Sequence, residues 1–236
     1  MLVIGIDAAT PIASVGLIQD GSILAEQSGG TATSHAENLL PLIHRVLDRA
    51  HVSLPEIAGI GVTIGPGAFS GLRIALGTTK GFAYALSQRV AGVSTLLTFA
   101  HAVTHWTGRL CVVLDARKRE VYAACFARDA DGHITRLTDD VVLAPEELAN
   151  QIIEPCLFVG DGVERYGEII REHCGHRTEV LPLAAVPPRG SIVARLAWMR
   201  FKQGDHDDVS QLVPQYIRRS DAERNRLKQR SGQSGP

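Results

Sequence analysis

An aspartate at the end of the first apolar run is the first residue that could take part in chemistry. Asp7 follows the run 2–6, and Thr10 comes shortly after it. Asp7 could hold a magnesium ion through water, and Thr10 could donate one hydrogen bond to a phosphate. A loop that wraps a phosphate also needs glycine, but Ala8 and Ala9 stand at that point. Two interpretations stay open, a nucleotide-binding residue and a polar strand end that caps a hairpin.

A glycine-rich string over residues 65–73 is the most specific signal in the chain. Gly65 and Gly67 flank a proline directly before a helical pattern, and such a turn presents backbone amides to an anion. Ser70 is also a good helix N-cap, which gives a purely structural reason for its presence. Anion or nucleotide binding through Gly65, Gly67, Ser70 and Arg73 therefore competes with plain capping, and both stay open.

His35 is the residue on the first predicted helix that most resembles a metal ligand. A second histidine four positions later would share its helix face, but Leu39 occupies that position. His44 cannot replace it, because it faces the opposite side of the helix. We therefore predict no metal site at this helix, and no residue pattern in the sequence singles out a catalytic residue.

Short apolar runs and turns predict the elements that position these residues. We expect strands at 2–6, 12–18 and 22–26, with an Asp-Gly hairpin turn between the last two. A helix over 34–50 begins with the capping box formed by Ser34 and Glu37. The following strand, helix, strand and helix are expected at 57–64, 70–87, 89–93 and 94–105. This order is typical of an α/β lobe of the actin-like or ribonuclease-H-like type.

A similar order of predicted elements starts again after residue 105. The apolar run 110–114 ends in Asp115, as the first run ends in Asp7. A hairpin over 120–137, a helix over 146–153, a strand over 157–159, a glycine turn over 160–162 and a helix over 191–202 follow. We predict a two-lobe fold of mixed sheets flanked by helices. Its N-terminal lobe spans 1–104, and a smaller C-terminal lobe with a basic tail spans 105–236.

The first two predicted helices offer more apolar surface than we expect one lobe to cover. The first has a broad apolar stripe, and the second has no polar side. Gly77 and Gly81 would let another helix approach closely. We favour a protein partner, and we expect Leu39→Glu or Ala83→Glu to break the association while the chain stays folded. The predicted contact residues are His35, Leu39, Leu40, Ile43, Leu47, Leu72, Ile74, Leu76, Gly77, Lys80, Gly81, Ala83 and Tyr84.

Composition excludes several classes of protein. The 236 residues are 45% hydrophobic, and a net charge of −1 gives no overall attraction to nucleic acid or an anionic membrane. Four scattered cysteines indicate reduced thiols rather than disulfides or a zinc site. Neither a signal peptide nor an apolar run of about 20 residues is visible. We expect a cytoplasmic protein without a membrane partner.

Motifs along the chain resemble those of the TsaB (YeaZ) family. The resemblance is dense over residues 2–100 and thinner afterwards, and Ala8, Ala68, Ser70 and Ala75 depart from the usual family residues. The matching segments are 4–7, 34–37, 39–41, 65–67, Phe69, 71–74, 80–81, 92–96, 115–117, 120–122, 160–162 and 214–218.

This resemblance implies an actin-like (ASKHA) fold and a role in threonylcarbamoylation of the adenosine beside the tRNA anticodon. It implies a non-catalytic scaffold that pairs through its first two helices with the catalytic paralogue TsaD or a second copy. The ATPase TsaE completes the assembly, and tRNA is reached only through the complex. TsaD carries an H-x-x-x-H metal pattern of which this chain keeps only His35. No tightly bound cofactor is implied, although ATP or ADP could lie at the interface of the assembled complex.

Three other interpretations stay open. A small-molecule kinase of the same fold would need a glycine-bearing loop after Asp7, and it could use residues 160–162 as a second loop. A protease that cleaves TsaD would need a base beside a serine or cysteine, which the sequence cannot place. Direct RNA binding would use the basic residues between 218 and 230, for which we favour a solvated tail.

Overall fold

The computed structural model describes residues 1–29, 35–175 and 178–217, without the side chains of His35 and Ala36. The predicted capping partner Ser34 and the basic segment 218–230 lie outside the described residues. The strands are β1 (Leu2–Asp7), β2 (Ala13–Gln19), β3 (Ser22–Gly29), β4 (Gly59–Gly65), β5 (Arg89–Ser94), β6 (Gly108–Arg117), β7 (Glu120–Arg128), β8 (Ile134–Arg136), β9 (Val141–Leu143), β10 (Cys156–Val159) and β11 (Thr178–Leu181). The helices are α1 (His35–Ala50), α2 (Phe69–Leu86), α3 (Thr95–Ala102), α4 (Pro145–Gln151), α5 (Gly162–Cys174) and α6 (Gly190–Lys202). Within these ranges, no helix is both long and apolar enough to cross a bilayer.

The first sheet has the strand order β3-β2-β1-β4-β5. β1 pairs antiparallel with β2 and parallel with β4, so β1 is the central strand. Asp20 and Gly21 form the turn between β2 and β3 with positive φ, as the Asp-Gly pattern predicts. α1 and α2 cover one face of this sheet, and α6 covers the other. Asp7 therefore ends a strand that is buried on both faces.

The second sheet has the strand order β11-β10-β6-β7-β8, and β9 pairs with the other end of β7. α4 and α5 pack on one face. α3 packs on the opposite face, where Leu96 and Phe99 join the side chains of β6 and β7 in one core. The predicted actin-like arrangement of two mixed sheets flanked by helices is confirmed. α5, β9 and β11 are elements that the sequence patterns did not predict.

The C-terminal part of the chain returns to the first sheet. α6 packs on β1, β2, β4 and β5, and its Ala194, Ala197 and Phe201 form a core with Val3. The amide of Gln215 donates to a carbonyl of β4 at 2.7 Å. The N-terminal lobe therefore includes residues 190–217, which differs from the predicted boundary. The sequence pattern of an amphipathic helix indicates that one side packs on the protein core, but it does not indicate which sheet that side covers.

All four cysteines are free and buried in the core between the second sheet and helices α4 and α5. Cys111 and Cys125 face each other across β6 and β7. A hydrogen bond to Cys125 and burial raise the pKa of Cys111, and burial raises the pKa of Cys156. These two thiols are therefore apolar, protonated groups at neutral pH, and the prediction of cysteines outside disulfides is confirmed.

Candidate functional site

Asp7 is fully buried behind the loop that joins β1 and β2. Its Oδ1 accepts hydrogen bonds from the Thr63 hydroxyl and the Ala9 amide, both at 3.1 Å. Its Oδ2 accepts a hydrogen bond from Nε of Arg189 at 2.7 Å. Both carboxylate oxygens are engaged by the protein itself, so Asp7 is not open to a ligand.

Arg189, directly before α6, is the site residue that the sequence patterns did not reveal. Its Nη2 donates to Thr10 Oγ1 at 2.9 Å and to the Ile12 carbonyl at 3.2 Å. Its guanidinium carbon lies 4.4 Å from the centroid of the Phe99 ring. The side chains of Arg189 and Asp7 are 5% and 0% exposed, which makes this a buried ion pair. The separation of 182 residues explains why no local pattern could predict the contact.

The glycine turn before α2 packs against the β1–β2 loop instead of standing open. The Ala68 amide donates to the Ala9 carbonyl at 2.7 Å. A Cβ on Gly67 would lie 2.4 Å from the same oxygen, so this close approach requires glycine. α2 begins at Phe69 with Ala68 as its N-cap, so the predicted N-cap role of Ser70 is wrong. Ser70 is exposed and lines a cleft between the lobes.

Gly65 and Arg73 contact the C-terminal segment of the chain. A Cβ on Gly65 would lie 2.8 Å from the Gln215 carbonyl. Arg73 donates from Nε to the Tyr216 hydroxyl at 3.3 Å, and its guanidinium lies 4.1 Å from the centroid of Phe69. The rings of Phe69 and Tyr216 stack at 5.4 Å. Gly65, Gly67 and Arg73, three of the residues predicted to bind an anion, therefore contact other parts of the protein on different sides of the turn.

The cleft between the lobes has a volume of about 320 Å³. The β1–β2 loop and the start of α2 line one side, and the β6–β7 hairpin and Asp161 line the other. Asp115 binds Arg117 at 3.3 Å and Arg165 at 3.4 Å, and its amide donates to Asp161 Oδ1 at 3.1 Å. The hairpin tip 117–119 has positive φ throughout, a rare run for residues other than glycine. The second lobe thus presents two carboxylates, Asp115 and Asp161, and one basic residue of the hairpin tip, Arg117, to the cleft.

Asp161 should make the stability of the chain depend on pH. Burial raises its pKa from 3.8 to about 6, and the Asp115 carboxylate contributes to the rise. Between about pH 4 and pH 6 the folded chain holds a proton at Asp161 that the unfolded chain releases. The contribution of Asp161 to stability is therefore greatest at about pH 4 and below, and it falls as pH rises through about 6. Asp161→Asn removes this charge and keeps an oxygen that can accept from the Asp115 amide.

We expect Asp161→Asn to be more stable than the original chain at about pH 7.5, by about 1–3 kcal/mol, with almost no gain near pH 4. Urea unfolding of both proteins at the two pH values measures this difference. An equal gain at both values would show that the Asp161 carboxylate keeps its ordinary pKa.

The residues predicted to contact a partner divide into a buried group and an exposed group. Leu39, Ile43, Leu72, Leu76 and Ala83 are no more than 4% exposed and are enclosed by the chain itself. The prediction that these five residues contact a partner is therefore wrong. Hydrophobic periodicity identifies the buried side of a helix, but it does not show which surface covers that side.

The exposed group lies on the outer face of α1 and α2. Leu40 is 54% exposed and Tyr84 is 65% exposed. A Cβ added to Gly77 or Gly81 would meet no atom within 4 Å. Of the other predicted contact residues, Leu47, Ile74 and Lys80 are half-buried. The side chain of His35 is not among those that the structure describes. This outer face is the second candidate site of the molecule.

Comparisons with known proteins agree with this architecture. The family model described as TsaD, tRNA N6-adenosine threonylcarbamoyltransferase, matches residues 22–226. The chain is 30% identical over 225 residues to the tRNA threonylcarbamoyladenosine biosynthesis protein TsaB of Escherichia coli (strain K12), covering 92% of this chain and 95% of that protein. This chain belongs to the TsaB (YeaZ) family.

Two further members support the assignment along the whole chain. TsaB of Bacillus subtilis (strain 168) is 27% identical over 226 residues, covering 94% of this chain and 96% of that protein. The structure of YeaZ from Pseudomonas aeruginosa has a TM-score of 0.78 and 29% identity, covering 91% of this chain and 99% of that chain. The family resemblance seen in the sequence motifs is confirmed.

The actin-like fold implies a nucleotide with a divalent cation in the interlobe cleft, and the residues of this chain do not fit that group. A cation at Asp7 would need free carboxylate oxygens, and both are bound to protein donors. The Thr10 hydroxyl accepts a hydrogen bond from Arg189. Among the described residues, Asp7 and Thr10 therefore do not offer the free oxygens that a divalent cation with its nucleotide would need at this end of β1.

Proposed function

We propose that this chain is a cytoplasmic, non-catalytic scaffold and activator subunit of the machinery that makes threonylcarbamoyladenosine in tRNA. In this proposal it binds the paralogue TsaD and assembles with the ATPase TsaE. tRNA is contacted through the complex, and ATP or ADP binds at the interface rather than in this chain's own cleft. The names of its relatives and the match to the TsaD family model support the pathway and a partner of the same fold.

The bare outer face of α2 is the observation that carries the proposal. Ile74, Gly77, Gly81 and Tyr84 follow helical spacing and share one side of α2. Each exposed glycine destabilises the helix by about 1 kcal/mol relative to alanine. A Cβ built on Gly77 or Gly81 would have no atom of the described chain within 4 Å, so nothing inside the chain requires glycine there. Close approach of a partner helix is a physical reason to keep glycine at both positions.

Neighbouring apolar groups extend this face. Leu40 of α1 borders a groove of about 390 Å³ that Leu47, Leu54 and Phe82 also line. Tyr84 is the type of large side chain that often contributes most of the binding energy at the centre of an interface. A helix pair of a partner that packs here would cover apolar surface contributed by both α1 and α2.

The two enzyme alternatives have less support from the geometry. A small-molecule kinase would need an open metal and phosphate site at Asp7, where the Arg189 guanidinium binds instead. A protease with a cysteine nucleophile would need a thiol with a lowered pKa. The Cys111 and Cys156 thiols have raised pKa values inside an apolar core. A hydrogen bond with Cys111 lowers the pKa of Cys125, but this thiol is 7% exposed and lies in the same core, where a substrate cannot reach it. We therefore propose no intrinsic catalysis.

Replacement of Gly81 with arginine tests the proposed interface. The change should stabilise the isolated helix slightly and place a long charged side chain in the outer face. We expect binding to TsaD from the same source to weaken by about 30-fold or more, the effect of losing about 2 kcal/mol at an interface centre. Biolayer interferometry and co-elution in size-exclusion chromatography measure this change.

Glu172→Arg is the matched control, because Glu172 is exposed on α5 beside the second sheet. This variant adds the same side chain on the opposite lobe and should bind TsaD as the original chain does. Equal loss of binding in both variants, or none in either, would contradict the proposed face. If Gly81→Arg alters only self-association, the face serves a homodimer rather than TsaD.

A further inference from the structure

A buried positive charge of the chain itself lies behind the β1–β2 loop, which lines one side of the interlobe cleft. The Arg189 guanidinium is bonded to Asp7 from β1, to Thr10 and to the Ile12 carbonyl. It also lies over the ring of Phe99, which is part of the core of the second sheet. One side chain thus connects the central strand of the first lobe, the β1–β2 loop and the helix that packs on the second lobe.

The charge of Arg189 also reaches the second lobe. The guanidinium lowers the pKa of Asp161, against the larger effect of burial that raises it. Arg189 therefore lies close enough to stabilise carboxylates of both lobes, Asp7 by direct contact and Asp161 through space.

A guanidinium and a divalent metal ion make different demands on such a site. Magnesium requires six oxygen ligands in an octahedron and keeps several waters, so it needs an open, hydrated carboxylate. A guanidinium is always charged, donates in one plane and tolerates dehydration better than an ammonium group. The Asp7 carboxylate is 0% exposed and has three protein donors, which fits the guanidinium and excludes a hydrated metal ion.

We infer that Arg189 takes the place of a divalent cation at Asp7 and holds the interlobe cleft in one arrangement without nucleotide. The inference concerns the cleft, so it can fail while the proposed binding of TsaD stands. It predicts that Asp7 of the original chain binds no divalent metal ion. It also predicts that removal of the guanidinium makes Asp7 a metal site.

The experiment compares melting temperatures of full-length variants in EDTA and in millimolar MgCl2 or MnCl2. Arg189→Ala leaves a buried carboxylate without its partner and should melt well below the original chain in EDTA. We expect either ion to raise the melting temperature of Arg189→Ala by about 5 °C or more. A bound ion stabilises the folded chain by this amount when its concentration is well above its Kd. Adding Asp7→Asn should abolish this response.

Arg195→Ala is the matched control, because Arg195 lies on α6, which Arg189 directly precedes, but is exposed and donates to the Gly21 carbonyl. Its melting temperature, like that of the original chain, should be the same in EDTA and in either ion. The inference is overturned if Arg189→Ala does not respond to either ion, whether it is folded or remains unfolded. A separate titration of the original chain with Mn²⁺ and ATP would also overturn it if binding depends on Asp7.

Discussion

Leu39→Glu is expected to unfold the first lobe, whereas Leu40→Glu should leave the chain folded and weaken its binding to TsaD. The two leucines are neighbours on α1, but Leu39 is 1% exposed and Leu40 is 54% exposed. Leu39 packs with Ile4 and Val62 of the first sheet in one core. The pair therefore separates an effect on the fold from an effect on the outer face, with the same substitution in each case.

The expected size follows from burial. Loss of a buried leucine side chain removes about 1.5–3 kcal/mol of hydrophobic stabilisation. A carboxylate in the same place adds several kcal/mol, because the core offers it no partner charge. The sum of about 5 kcal/mol or more is comparable with the whole stability of many domains.

Circular dichroism and urea unfolding will show the difference between the two variants, and binding to TsaD completes the comparison. We expect Leu39→Glu to be unfolded or aggregated and Leu40→Glu to unfold as the original chain does. A folded Leu39→Glu variant that fails to bind TsaD would restore the original sequence-based expectation that Leu39 faces a partner.

Gly16→Ala is expected to have a similarly large effect through the contact between α6 and the first sheet. A Cβ on Gly16 would lie 2.1 Å from the Ser191 nitrogen, and a Cβ on Gly5 would lie 2.1 Å from the Gly190 carbonyl oxygen. Both contacts are to backbone atoms, which cannot move away as a flexible side chain can. A single methyl group therefore has to push the start of α6 off the sheet.

The displacement would also disturb Arg189, which directly precedes α6. Overpacking alone costs about 1–3 kcal/mol, and disruption of a buried ion pair adds about 3–5 kcal/mol. We expect a total of about 4 kcal/mol or more, seen as a fall in melting temperature of about 10 °C. Gly77→Ala is the matched control, because its added methyl group meets open space and should stabilise the chain by up to about 1 kcal/mol. A normal melting temperature for Gly16→Ala would mean that α6 packs more loosely than the structure shows.

Local patterns in the sequence predicted most elements of the first lobe. The apolar runs of β1, β2 and β4, the Asp-Gly turn and the long helices α1 and α2 have strong periodicity or specific turn residues. α5 was missed, since only a glycine turn was recognised at residues 160–162. One signal was available but unused: glycine inside a strand indicates close approach of another backbone. Gly5 and Gly16 are such glycines, and they mark the place where α6 packs.

The candidate sites show a sharper division between the two kinds of information. The sequence indicated Asp7 and the string 65–73 as the places to look, because residue types and spacing are local properties. It could not show that Arg189 closes the site at Asp7, because that contact joins residues 182 positions apart. The exclusion of a metal ion at Asp7 therefore depends on the tertiary structure alone.

The sequence by itself determined the family, the α/β class and the apolar character of α1 and α2. Only the tertiary structure decided which apolar residues are core and which are available to a partner. The physical reason is that periodicity records how a helix distributes its side chains, while burial depends on what is packed against each side. Leu39 and Leu40 follow one another in the same helix, and only the position of the first sheet distinguishes them.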